Sequence, residues 1–282
     1  MTYGIGGKRA FLCVLGLCAS GCPNPNIYGS PRTLGAGKIS HTIAAEGVGY
    51  RFERRDEYVS EGVPRSVSTT FVVPPSYTLR VGIVDRLDLG FRAANFSSVG
   101  LDLKANFLRS EVVDLAVDPF VQWSFAGINT THVHMPLLVG INAGSKITFL
   151  LTPGMMYGVS SLKDYTDRDL TELNQVMGTN GLYARFGIGL DARLTKKFGI
   201  HPELTVLKAL NPPTDSAFES TLMYIFGFGF NIGAQPDYSD IGGPSEAPPA
   251  AAPPAAAPAA APAPAAAPAA PAAPAPAAAP PP

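Results

Sequence analysis

The sequence predicts an all-β protein: an antiparallel transmembrane β-barrel of about 10 strands, followed by a disordered tail of alanine and proline. Three observations predict it. From Lys38 to Ile232 the chain alternates apolar and polar residues, most purely where Tyr224, Phe226, Phe228, Phe230 and Ile232 enclose Gly227, Gly229 and Asn231. Each alternating segment is about as long as the 9–11 residues that a tilted strand needs to cross a bilayer. Short and long connections also take turns along the chain.

Residues 1–21 read as a signal peptide. Lys8 and Arg9 supply its positive region, and Ala10 to Leu17 form an apolar stretch too short to span a membrane as a helix. Residues 22–37, rich in Pro, Asn, Gly and Ser, read as a flexible lead-in. The barrel occupies 38–233. Its strands are expected at Lys38–Phe52, Tyr77–Val84, Leu87–Asn95, Val99–Leu108 and Val113–Phe125. The second half continues with Val133–Asn142, Ile147–Val159, Leu182–Leu194, Phe198–Leu207 and Leu222–Ile232. Each is bounded by turn residues and carries one apolar and one polar face. Residues 234–282 form the tail, and from Ala247 to Pro282 every residue is Ala or Pro. Such a segment has no side chains with which to build a core.

The turns near Asp85-Arg86, Arg109–Glu111, Gly144-Ser145 and Thr195–Lys197 are short. The connections after Glu53 and across Ser160–Gly181 are long. An even strand count with short turns at one end is the pattern of outer-membrane barrels, and it puts both termini in the periplasm. The expected exposed loops are Arg54–Glu61 and Lys163–Asn180. Parity checks the pairing: outward residues are odd-numbered around both Ile141 and Ile147, so the turn between them needs an odd number of residues, such as Ala143-Gly144-Ser145.

The polar face is expected to line the lumen. It holds Arg80, Asp88, Arg92, Asp102, Lys104, Asp114, Arg185, Asp191, Arg193 and Glu203, interleaved with glycines such as Gly82, Gly187, Gly227 and Gly229. Mixed charges can pair there while small residues relieve crowding. The opposite face places Tyr77, Phe91, Phe107, Trp123, Phe125 and Tyr157 near strand ends, as in an interfacial girdle. Pro119, Pro136, Pro153 and Pro202 fall inside strands, where a proline removes a ladder donor; a shared bulge or bend accounts for them.

Composition excludes more than it selects. With 15% charged residues and a net charge of −1, nothing points to nucleic acid. Cys13 and Cys18 lie within the signal, so the mature chain would keep Cys22 alone and form no internal disulfide.

Several phrases carry resemblances. Ala19-Ser20-Gly21-Cys22 resembles a lipobox, which implies lipidation of Cys22; ordinary signal cleavage at the same bond is the alternative. Tyr28 to Ile232 resembles small, poorly characterised bacterial outer-membrane β-barrel proteins. The phrases are Ser30-Pro31-Arg32-Thr33-Leu34-Gly35-Ala36-Gly37-Lys38, Arg86-Leu87-Asp88-Leu89-Gly90, Lys196-Lys197-Phe198-Gly199-Ile200 and Pro202-Glu203-Leu204. Phe226-Gly227-Phe228-Gly229-Phe230 is similar to the last-strand signal read by the barrel assembly machinery. The tail resembles the Ala-Pro hinge of OmpA-type proteins. These resemblances imply a bacterial outer-membrane location, with membrane lipid and the assembly machinery as partners and a tail reaching toward the cell wall. They imply no cofactor.

Candidate chemistry is sparse. His132 and His134 share a strand face, as metal ligands or as polar lining. Asp114 and Asp118 also share one. Proteases of the omptin type use acidic pairs with a His-Asp pair, and no matching second pair is found here. Asp164, Asp167, Asp169 and Glu172 lack calcium-loop spacing; Asp169 and Glu172 suit the capping box of a short loop helix. The leading function is a structural or envelope-associated barrel without catalysis. A narrow channel for small solutes or ions is the alternative, and an outer-membrane enzyme or surface-binding protein the third class.

Overall fold

The structure is a computed structural model; it describes residues 23–59, 64–94, 96–125, 129–161, 181–211 and 218–241. The segment expected to be a signal peptide, Cys22, the Asp164–Glu172 loop and the Ala-Pro tail lie outside the described residues. The chain divides after Gly243, and every described residue belongs to the unit before that point.

Alternation produces strands throughout. They are β1 (Ile39–Arg54), β2 (Ser66–Val84), β3 (Leu87–Ala94), β4 (Ser98–Leu108), β5 (Val113–Val117) and β6 (Phe120–Ser124). Then come β7 (Asn129–Asn142), β8 (Ile147–Leu151), β9 (Gly154–Ser161), β10 (Gly181–Thr195), β11 (Phe198–Ala209) and β12 (Phe218–Gly233). β5 and β6 are halves of one stave, both lying between β4 and β7. β8 and β9 are likewise halves of one stave between β7 and β10. The described strands therefore make ten staves, all antiparallel to their neighbours. β12 pairs with β1, for example Phe230 with Ile43, and closes the barrel.

Both broken staves break at proline. Pro119 and Pro153 interrupt them, and Pro136 of β7 lies opposite Gly154, one residue from Pro153. A proline lacks a donor but keeps its carbonyl, and each of these carbonyls is used. Leu103 N–H donates to Pro119 (3.0 Å), Asp118 N–H to Pro136 (3.3 Å) and Leu137 N–H to Pro153 (2.8 Å). The three prolines thus form a diagonal seam across adjacent staves, where the wall bends without losing its acceptors.

Several boundaries differ from expectation; β7 begins at Asn129 rather than Val133 and β12 at Phe218 rather than Leu222. β2 begins at Ser66 rather than Tyr77. Its first half pairs with β1 alone, since β3 reaches only Tyr77. Pro74 and Pro75 stand opposite Ala45 at a register shift, on a stretch whose other edge pairs with no strand among the described residues. The β7–β8 turn is Gly144-Ser145-Lys146, one residue later than expected. Ala143 N–H bonds Ile147 O at 2.9 Å, and Gly144 takes the left-handed φ of 80°.

The outward face is an apolar band that includes Phe91, Leu103, Trp123, Phe149, Ile188 and Phe226. A ring of exposed large apolar side chains of this extent requires lipid. The inward face is where the fold departs most from expectation. Residues 23–34, expected as a flexible lead-in, run buried inside the lumen. Residues 234–241, assigned to the disordered tail, turn under the barrel, where Tyr238 and Ile241 are buried. Neither segment shows apolar alternation, so the pattern that reveals strands is silent about both.

Candidate functional site

The lumen wall is built by parity: on β1 the inward residues are Glu46, Val48, Tyr50 and Phe52, and the other staves contribute every second residue in the same way. All ten charges assigned to the lumen are buried: Arg80, Asp88, Arg92, Asp102, Lys104, Asp114, Arg185, Asp191, Arg193 and Glu203. Part of the set binds itself. Arg80 bridges Asp102 (2.8 Å) and Asp118 (3.1 Å), and Arg92 holds Asp102 at 2.7 Å. Lys104 meets Asp88 at 3.3 Å, and Arg193 pairs with Asp191.

Other wall groups bind the N-terminal segment, which plugs the lumen. An irregular backbone buried away from water needs a partner for each polar group. The wall supplies carboxylates to the donors and cations to the acceptors. Ile27 and Tyr28 N–H both donate to the Glu203 carboxylate, at 3.0 and 2.8 Å. Tyr28 has φ 50°, a left-handed backbone that lets successive N–H groups converge on one anion. Leu34 N–H donates to Asp88 at 3.0 Å. Arg185 donates to Pro25 O (2.6 Å) and Arg92 to Asn26 O (2.7 Å). Lys104 reaches both Ser30 O (3.1 Å) and Arg32 O (2.8 Å).

Side chains complete the seat. Glu46 accepts from Asn24 Nδ2 at 2.8 Å and from the Tyr28 hydroxyl. Asn24 N–H donates to Gln122 Oε1 at 2.9 Å. The lumen glycines are where the plug lies against the wall. A Cβ at Gly229 would come within 2.9 Å of the Tyr28 ring, one at Gly227 would strike its hydroxyl, and one at Gly140 would meet Pro31 at 2.9 Å.

Arg32 ties the plug to the short-turn end. It donates to Asp114 (2.8 Å), Ser110 O (2.9 Å) and Asp237 O (2.9 Å), and pairs with Asp240. The Tyr238 ring lies between two guanidiniums, 4.3 Å from Arg32 and 3.5 Å from Arg193. Burial raises the Tyr238 phenol above its ordinary range. Bonds from Ser239 hold the Asp237 carboxyl below its own. At the other end, beyond Glu46, the lumen turns apolar: Val48, Tyr50, Met156, Leu207, Met223 and Ile225 pack together. Between plug and wall remain gaps of about 30 and about 10 Å³. That is room for a water or so.

His132 and His134 are fully buried on β7, with ring centroids 6.2 Å apart, and His134 stacks on Phe120 at 3.9 Å. Among the described residues no group of three or more His, Cys, Asp and Glu could hold a metal. Asp114 and Asp118 act apart, one on Arg32 and the other on Arg80. Sequence reasoning missed Glu46, Arg32, Asn24, Tyr28 and Tyr238. Only Glu46 left a signal, an acidic residue sharing parity with Val48 and Tyr50. The others come from segments that no periodicity ties to the barrel.

No protein family matches the chain, and no curated relative does. Solved structures do resemble it. The N-terminal β-barrel domain of Pseudomonas aeruginosa OprF is 15% identical over 70% of this chain and 99% of that one, with a TM-score of 0.31. An outer-membrane channel from Pseudomonas putida F1 is 9% identical over 75% and 99%, with a TM-score of 0.42. The outer-membrane protease OmpT of Escherichia coli is 8% identical over 70% and 96%, with a TM-score of 0.37. The chain itself is a closed antiparallel transmembrane barrel of ten staves.

Proposed function

We propose that this protein is a bacterial outer-membrane barrel kept shut by its own N-terminal segment, with a structural or envelope-associated role and no catalysis. One observation carries the reading: residues 23–34 fill the lumen, and wall charges bind their backbone. A lumen made to conduct would hold those charges facing water. The two gaps beside the plug, of about 30 and about 10 Å³, hold a water or so, which supports the reading.

The second reading is a narrow conduit for small solutes or ions. The plug favours it in one respect: it shares no ladder bonds with the strands, so a barrel without it keeps its wall. Planar-bilayer recording on the purified protein tests both. The intact chain is expected to be electrically silent, and a variant lacking residues 23–34 in which Tyr50 and Met156 of the apolar cluster are also cut to Ala to show discrete steps. Steady conductance from the intact chain would overturn the shut-barrel reading in favour of the conduit.

A further inference from the structure

The outward surface changes character over three successive ranks of β11, β12, β1 and β2. Leu204, Phe226, Gly47 and Val72 stand side by side in the first. Val206, Tyr224, Gly49 and Thr70 form the second, and Lys208, Leu222, Arg51 and Ser68 the third. The first rank belongs to the apolar band, with Phe226 55% and Val72 85% exposed. In the second, the Tyr224 ring lies across Gly49, where a Cβ would collide with it, and its hydroxyl meets that of Thr70 at 2.9 Å. An aromatic with a polar tip at this level marks the edge of the hydrocarbon.

The third rank then presents two cations on the lipid side. Lys208 and Arg51 flank Leu222 on adjacent strands, so their roots stand about 10 Å apart at the usual strand spacing. With Glu53, Ser220 and Leu222 they line a shallow groove of about 210 Å³. Arg51 touches Glu53 at 3.3 Å, but both side chains are well exposed and such a pair is weak. It yields to a stronger anion.

We propose that this groove binds the phosphate monoester of a phosphorylated lipid in the leaflet on the long-loop side. The position commits it to a lipid: the groove sits directly above the apolar band, at headgroup level, on the surface that faces the bilayer. Arg51 and Lys208 supply the charge, the Ser220 hydroxyl a neutral donor, and Leu222 an apolar contact between them. The proposal stands whether or not the barrel conducts.

The test uses the full chain in phosphatidylcholine vesicles containing diphosphorylated lipid A, with dephosphorylated lipid A and phosphatidylglycerol as comparisons, and retained lipid measured by native mass spectrometry. Arg51→Gln with Lys208→Gln should weaken retention of the diphosphorylated lipid roughly 30-fold, the effect of two interfacial cations. Lys196→Gln with Lys197→Gln, the same charge loss at the opposite rim, should change it less than about twofold. Heat-modifiable gel mobility shows that each variant is folded. Equal losses from the two pairs, or equal retention of phosphatidylglycerol or dephosphorylated lipid, would overturn the site. Displacement by millimolar inorganic phosphate alone would overturn it too, assigning the groove to a free anion.

Discussion

A methyl group at position 227 has nowhere to go while Tyr28 is seated, because it would strike the phenol oxygen. Gly227→Ala therefore sets wall against plug, a conflict worth about 1–3 kcal/mol. Tyr28→Ala alone costs the hydroxyl bond to Glu46 and the ring's packing, and it leaves a backbone at φ 50° that alanine tolerates no better than tyrosine. In urea unfolding from lipid vesicles the double variant should be more stable than the sum of the single losses predicts. Strict additivity would mean that the ring does not lie on the glycines.

At the scale of the element, the two faces of a strand should answer differently to the same change. Leu103 and Ile188 point outward and are exposed. Arginine at either should cost about 2–4 kcal/mol if lipid surrounds the barrel. At Gly187, where a Cβ would meet the Thr205 hydroxyl at 2.9 Å, arginine would act by crowding the lumen. Refolding into vesicles, with denaturant titration, separates the two; harmless arginines at both Leu103 and Ile188 would count against the lipid-facing assignment. Strands such as β3 and β4 were legible to within a residue, because Leu87-Asp88-Leu89-Gly90 and Leu101-Asp102-Leu103-Lys104 alternate cleanly between tight turns. The first half of β2 was not, because Ser66-Val67-Ser68-Thr69-Thr70 has little apolar face and Pro74-Pro75 reads as a break. The plug was illegible for a deeper reason. Asn24-Pro25-Asn26 looks like a solvated linker, and only the wall's carboxylates and guanidiniums make burying it tolerable.

For the whole molecule, the two ends of the barrel unit are coupled through Arg32, which binds both Asp114 in the wall and Asp240 in the closing segment. Truncation can show where that coupling begins. Ending the chain after Gly243 removes the Ala-Pro tail but keeps Tyr238, and heat-modifiable mobility should be unchanged. Ending it after Gly233 takes away the ring between Arg32 and Arg193. A cysteine placed at Ser30 should then react faster with a water-soluble maleimide. Loss of the folded band in the first truncation would give the tail a part in assembly; equal labelling rates in the two would dissociate Tyr238 from the plug.

Tyr28 touches Glu46 on β1 and lies against Gly227 and Gly229 on β12, and these two strands form the seam that closes the cylinder. The segment that leads into β1 therefore touches both strands of that seam from the inside. The plug is thus a buttress behind the join: Tyr28 braces first and last strands from within the closed cylinder, so that whatever loosens the seam is felt at the plug as well.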